Sequence, residues 1–169
     1  MIDTEALIAR ITAAFASVEY PGDWCLRGSN EGEEPYQVED AFKGKTDWRS
    51  LDAGFIDGYT TALSFFSDEA FHFYLPAYLI ADLRGQLEYS DPMFYLTHGL
   101  EDAKRGERIN PRRYGERTWF DHARHKFAMF NKAEAAVIAA YLRWKRETDE
   151  MSRARIDEAL ASYWNDRAA

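Results

Sequence analysis

The sequence predicts a mainly α-helical fold: a single compact domain over residues 1–169, built of about five to seven helices with a long N-terminal loop and a long basic connection. Three observations predict it. Apolar residues recur at three- and four-residue intervals along much of the chain. Ser, Thr, Asp and Asn stand where such stripes begin, the positions that cap helices. No internal repeat of roughly 20 to 50 residues and no low-complexity tract is present, which excludes a solenoid.

A first helix starts from Asp3 or Thr4 and sets Leu7, Ile8, Ile11, Phe15 and Val18 on one stripe, ending before Pro21. The following text is rich in turn formers, Pro21-Gly22, Gly28-Ser29-Asn30 and Gly32, and predicts a loop with room for a short strand at Trp24–Arg27. Pro35 suits a helix start, with Val38 and Phe42 inward and Gly44 as the stop. Trp48, Leu51, Phe55 and Tyr59 predict one helix from an Asp47 cap, weakened by Gly54 and Gly58.

Ser67 to Tyr89 is the most informative stretch. Ser67 or Asp68 caps it, and Phe71, Tyr74, Leu75, Tyr78, Leu79 and Leu83 are its core candidates. Apolarity on nearly all sides of Phe73–Ile80 sets this element at the centre of the fold. Pro76 removes a helix hydrogen bond and clashes with the preceding turn, which predicts two helices meeting at Leu75-Pro76 or one kinked helix. Ser90-Asp91-Pro92 opens a short helical piece, and residues 101–118 read as a long polar connection. Asn131 with Glu134 forms a capping box for a helix carrying Val137, Ile138, Tyr141, Leu142 and Lys145. A last helix carries Ile156, Ala159, Leu160, Tyr163 and Trp164, continuing the previous one or turning back near Asp149–Ser152.

Composition narrows the class. With 46% hydrophobic, 30% charged and 15% aromatic residues among 169, the chain can build a packed core and is neither disordered nor fibrous. One cysteine, Cys25, allows no internal disulfide and no cysteine-based zinc site, which suits a reducing, cytoplasmic compartment. Asp3 and Glu5 stand where a signal peptide carries positive charge, and Ala70–Ala81 is too short and holds His72, so export and membrane spanning are disfavoured.

The net charge of -8 is uneven. Residues 1–102 hold six basic against 19 acidic side chains, a net of -13, and residues 103–169 hold 15 against 10, a net of +5. Acid is densest at Glu31, Glu33, Glu34, Glu39 and Asp40; base is densest from Lys104 to Lys126. The two halves either neutralise one another or leave an acidic surface that steers and docks a basic protein. Nucleic-acid binding is disfavoured, because the whole chain is acidic and Glu107, Glu116 and Asp121 interrupt the basic stretch.

Catalytic signals are sparse. Glu69 and His72 make one E-x-x-H pair, whereas a di-iron helix bundle needs two. Asp121, His122 and His125 hold two imidazoles at chelating spacing, opposed by flanking Arg124 and Lys126. These five are the weak metal candidates, and the sequence predicts neither a metal nor another cofactor. Cys25 has no sequence neighbour that would act as its base, and phosphate-loop, dinucleotide-fold, G-x-S-x-G and H-E-x-x-H patterns are missing.

The stretch LSFFSDEAFHFYLPAYLIADL (Leu63–Leu83) resembles a family of uncharacterised bacterial proteins, a domain of unknown function, that share an LSFLS-x-x-AF-x-FYLPAYL segment. The likeness extends to AF-x-x-V-x-YPGD (Ala14–Asp23), to FKGKTDWRSL (Phe42–Leu51) and to FNKAEAAVIAAYLRWK (Phe130–Lys145), where Glu134 replaces a Gln of the family pattern. The segment after Asp149 and the basic loop before Trp119 depart from that pattern. The resemblance implies no catalytic residue. The leading expectation is a non-enzymatic cytoplasmic protein that engages a basic protein through Glu31, Glu33, Glu34, Glu39 and Asp40, an immunity or antitoxin role being one form of this. Two alternatives stand beside it. One is a metal- or small-molecule-binding domain or enzyme with a pocket beside Phe71–Tyr78. The other is a structural homodimer packed through Glu134–Trp164.

Overall fold

The computed structural model describes residues 1–169 and is mainly helical. No strand forms; β-bridges occur singly, Arg27 with Phe66 and Arg108 with Thr118. The chain clusters into two compact units, Thr4–Tyr95 and a second made of Met1–Asp3 with Leu96–Ala169.

In the unit Thr4–Tyr95, α1 (Thr4–Ala14) buries Leu7, Ile8 and Ile11 on the predicted stripe. Where the loop had room for a strand, Asp23–Cys25 coils into a 3₁₀ turn closed by Cys25 N–H on Gly22 O at 3.0 Å. The extended backbone after it is pinned at only two points, Gly28 N–H to Phe65 O (2.8 Å) and Ser67 N–H to Leu26 O (2.8 Å). Approach there is so close that a Cβ on Gly28 would lie 2.5 Å from Phe66 O, which is why glycine occupies the position. Next, α2 (Glu34–Phe42) starts with Pro35 in its first turn and buries Pro35, Val38 and Phe42.

The single helix expected from Asp47 is two pieces, a 3₁₀ turn at Trp48–Ser50 and α3 (Ala53–Gly58). The break has a local cause: Asp52 caps a helix of its own, Oδ2 accepting from Phe55 N–H at 3.1 Å, and Leu51 before it is extended. After the short α4 (Ala62–Phe65), α5 (Asp68–Leu83) runs unbroken through Pro76. Ser67 caps it, its Oγ accepting from Ala70 N–H at 3.0 Å. An interior proline costs about 3 kcal/mol, and burial offsets it: 11 of the 16 residues of α5 are buried, on every side. Rings close around this helix. Phe42 lies 4.9 Å from both Phe66 and Tyr74 and 5.0 Å from Phe55, and the Tyr74 hydroxyl donates to Lys45 O at 2.8 Å. The short helix expected from Ser90-Asp91-Pro92 is α6 (Pro92–Thr97).

In the other unit the predicted polar connection is structured. A 3₁₀ turn (Asp102–Lys104) and α7 (Pro111–Tyr114) interrupt it, and Ile109 N–H to Arg117 O (3.1 Å) with Trp119 N–H to Glu107 O (3.0 Å) folds it back on itself. Then α8 (Trp119–Phe127) starts from a Thr118–Asp121 capping box, and α9 (Lys132–Thr148) from the predicted Asn131–Glu134 box. The chain turns back after Asp149 into α10 (Arg153–Ala159), a π-helical turn (Leu160–Trp164) and α11 (Asn165–Ala168), which pack on α9. Trp164 is fully buried beside Phe127 (4.9 Å) and Tyr163 (5.0 Å), and its indole N–H donates to Leu96 O at 2.8 Å.

Within the first unit, Asp57 fastens α3 to the segment after α5. Only 8% exposed, its carboxylate accepts from the backbone N–H groups of Glu88 (3.0 Å), Tyr89 (3.0 Å) and Ser90 (2.8 Å). Burial by itself would raise its pKa, but the three N–H groups together outweigh burial and hold the carboxyl below its ordinary value. A depressed carboxyl stabilises the fold above its unfolded pKa, and that contribution is lost as pH falls through the folded value. Asp57→Ala is therefore expected to cost roughly 3 kcal/mol at neutral pH by leaving buried donors unpaired. Urea unfolding across the acidic range should show stability falling less steeply in the variant than in the wild type.

Candidate functional site

Four of the five carboxylates singled out from the sequence, Glu31, Glu33, Glu34 and Asp40, lie exposed on the loop before α2 and on α2 itself. The fifth has a different place. Glu39 has a side chain only 14% exposed and pairs with Arg27 at 2.5 Å and Lys43 at 3.4 Å. Arg27 in turn donates to Asn30 Oδ1 at 3.0 Å and stacks over the Tyr36 ring at 4.1 Å. One guanidinium thus ties the loop to α2 and fixes the backbone that carries the acidic side chains. Glu34 also accepts from the Thr61 hydroxyl at 3.2 Å, and Asp40 reaches Lys43 at 3.4 Å, both at the surface.

The same unit presents Trp24, 86% exposed, on the Asp23–Cys25 turn. The turn is held from both sides: Asp23 accepts from the Tyr20 hydroxyl and from Gly44 N–H at 3.0 Å, just past the end of α2. Burial and the Asp23 carboxylate push the Tyr20 phenol up to about 12. Gly22, at φ 99°, leaves space for the indole, since a Cβ there would lie 2.6 Å from Trp24 Nε1. A large aromatic group is therefore displayed to water on a rigid support. Its exposure carries no signal in local spacing, and the sequence reading did not single it out as a surface group.

A cleft of about 410 Å³ runs along the C-terminal half of α5, walled by α1, the Trp48 turn and α3. Apolar side chains such as Ile8, Ile56, Ala77, Ile80 and Ala81 form its sides, with Arg49 and Arg84 among the polar groups. It opens beside the helix that carries Phe71–Tyr78, with Ala77 inside that stretch and Ile80, Ala81 and Arg84 further along, and its residues come from three separated stretches of chain, so no motif announces it.

The metal candidates do not assemble. Glu69 is exposed and sits 3.8 Å from Cys25 Sγ, while His72 is half-buried with its ring edge toward Phe15 at 6.0 Å. Asp121 is occupied as the capping partner of Thr118, whose N–H and hydroxyl lower its pKa; His122 lies against Trp119 at 6.4 Å. His125 and Asp121 line one shallow hollow, but Arg124 and Arg167 line it too, two cations that repel a metal ion. No group of three or more His, Cys, Asp or Glu side chains comes together in a way that would hold one. Within the basic segment Lys104 pairs with Glu107 at 2.7 Å and Arg108 with Glu116 at 2.5 Å. The apolar stripe of α9, part of the Glu134–Trp164 segment expected to pack a homodimer, buries Val137, Ile138, Tyr141 and Leu142 within the chain. No helix is long and apolar enough to cross a membrane.

Cys25 does meet a carboxylate, but not one that activates it. Partial burial pushes its thiol pKa up and the negative charge of Glu69 pushes it further, so the reactive thiolate is scarce at neutral pH. Removing that charge should act in the opposite direction. Glu69→Gln is expected to speed the reaction of Cys25 with Ellman's reagent several-fold at mildly alkaline pH. Rates followed against pH will check it, and an unchanged profile would show that the carboxylate does not set the thiol's reactivity.

Comparison with curated proteins and with solved structures returns no match to this chain. Residues 3–168 match one family, a span that takes in the segment after Asp149 and the loop before Trp119, both expected from the sequence to depart from the family pattern. With nearly its whole length covered, the chain belongs to DUF6714, a family of unknown function.

Proposed function

We propose that this chain is a non-enzymatic, cytoplasmic protein-binding module that engages a basic protein partner through its acidic surface, an immunity or antitoxin role being one form of that activity. The observation that carries the reading is Trp24, an almost fully exposed indole on a turn tied down at Asp23, in the unit that also holds the exposed Glu31, Glu33, Glu34 and Asp40. Tryptophan is among the residues most enriched where binding energy concentrates, and a rigid support lowers the entropy lost on association.

Electrostatics supports the same reading. Residues 4–95 hold six basic and 16 acidic side chains, a net of -10. Such a field attracts a cationic protein and speeds encounter. The carboxylates that remain exposed, Glu31, Glu33, Glu34 and Asp40, supply the contacts, while Glu39 contributes by holding Arg27 and so the backbone beneath them.

The test is capture from the native host with tagged chain at low and high salt. A basic protein should be retained at about 50 mM salt and released at about 500 mM. The triple variant Glu31→Lys, Glu33→Lys, Glu34→Lys and the single variant Trp24→Ala should each lose it. Both variants should keep their unfolding free energy within about 0.5 kcal/mol of wild type. Glu39 is left intact because its loss would disturb the Arg27 clamp. Retention by both variants, or no captured protein at all, would sink the reading.

A further inference from the structure

The cleft along α5 is a feature separate from the acidic surface, and its chemistry is independent of the protein-binding reading. We infer that it binds a small organic anion with an apolar body. Its volume of about 410 Å³ falls within the size of small-molecule sites. The side chains facing it divide the work between body and head. Ala77 and Ala81, one turn apart on α5, leave the room, and Ile8, Ile56 and Ile80 make the sides apolar.

The charge at the cleft runs against the charge of the unit. Of only six basic side chains in residues 4–95, two, Arg49 and Arg84, line it. Two of the other four, Arg27 and Lys43, are committed to Glu39. Arg49 reaches Asp47 at 3.6 Å with both side chains largely in water, a weak pair that leaves guanidinium donors available. The acidic residue in the lining, Asp52, is engaged as the α3 cap through Phe55 N–H. A cationic rim on an apolar hollow selects an anion that the unit's net charge of -10 would otherwise repel from this surface.

A further group in the wall asks for an acceptor. Trp48, 2% exposed, has a buried indole N–H with no hydrogen-bond partner. An unpaired buried donor costs free energy, and native structures satisfy such groups with water or ligand oxygens. The guanidinium of Arg49 stacks on the same indole at 4.6 Å, which holds the cation against the cleft wall.

Isothermal titration with three eight-carbon probes tests this. Octanoate and octyl phosphate carry the two common anionic heads, and 1-octanol carries the same body without charge. At least one anion should bind wild-type protein roughly tenfold or more tighter than octanol, and whichever does so names the head. Arg49→Gln and Arg84→Gln, both surface changes, should each weaken that anion while leaving octanol unaffected. Ala53→Phe, at the cleft wall, should weaken all binding by filling space. No heat from either anion at millimolar concentration, octanol binding as tightly as the anions, or wild-type affinity in both Gln variants would each overturn the inference.

Discussion

Everything in the unit Thr4–Tyr95 is arranged by the need to cover α5 on all sides. A helix with one apolar stripe needs one neighbour; a helix buried around its whole circumference needs several. Its contacts are α1, the Trp48 turn and α3, and the ring cluster of Phe42, Phe55, Phe66 and Tyr74 fills the remaining space. Because the Trp48 turn and α3 are only three and six residues long, polar links help hold the covering pieces to the centre. Asp57 ties α3 to the chain beyond α5, and Ser67 joins the α5 cap to the backbone of Cys25. Pro76 is tolerated for the same reason: burial on all sides keeps the helix continuous where the local backbone alone would break.

Charge is distributed by role. Glu39, Arg27 and Lys43 work as fasteners, whereas Glu31, Glu33, Glu34 and Asp40 stay exposed, and the unit keeps an excess of acid over base. Two arginines are diverted to the cleft, where their opposite sign is most distinctive. A sequence count treats these residues alike, and only their neighbours separate structural from displayed charge.

What could be read from the sequence was what local periodicity and capping encode. The helical class, the stripe Leu7, Ile8 and Ile11, the inward Val38 and Phe42, and the Asn131–Glu134 box all depend on residues within a few positions of one another. The departures share a cause. Asp52 outcompeted a longer helix by capping its own, the basic connection gained order from backbone pairing at Ile109 and Trp119, and Trp24–Arg27 found one bridge partner where a strand needs a run of them. The site features were the least legible. Cys25 and Glu69 meet across 44 positions, and the cleft draws Thr12, Arg49 and Arg84 from three elements. The exposure of Trp24 follows from the 3₁₀ turn and Gly22, neither of which has a repeating signature.

The π turn at Leu160–Trp164 bears on how the last segment of this chain tolerates a change of length. One residue more or fewer rotates everything beyond it by about 100° around the helix axis. Here the extra residue keeps Ile156 and Trp164 both inward while Arg167 reaches the carbonyls of Ala128 and Phe130. A single-codon deletion inside the turn would therefore leave a good helix but swing Arg167 away from both carbonyls, uncapping the end of α8 and the entry to α9. Length in this segment is under tighter geometric control than residue identity, so point substitutions on its outer face should accumulate freely while insertions and deletions should not.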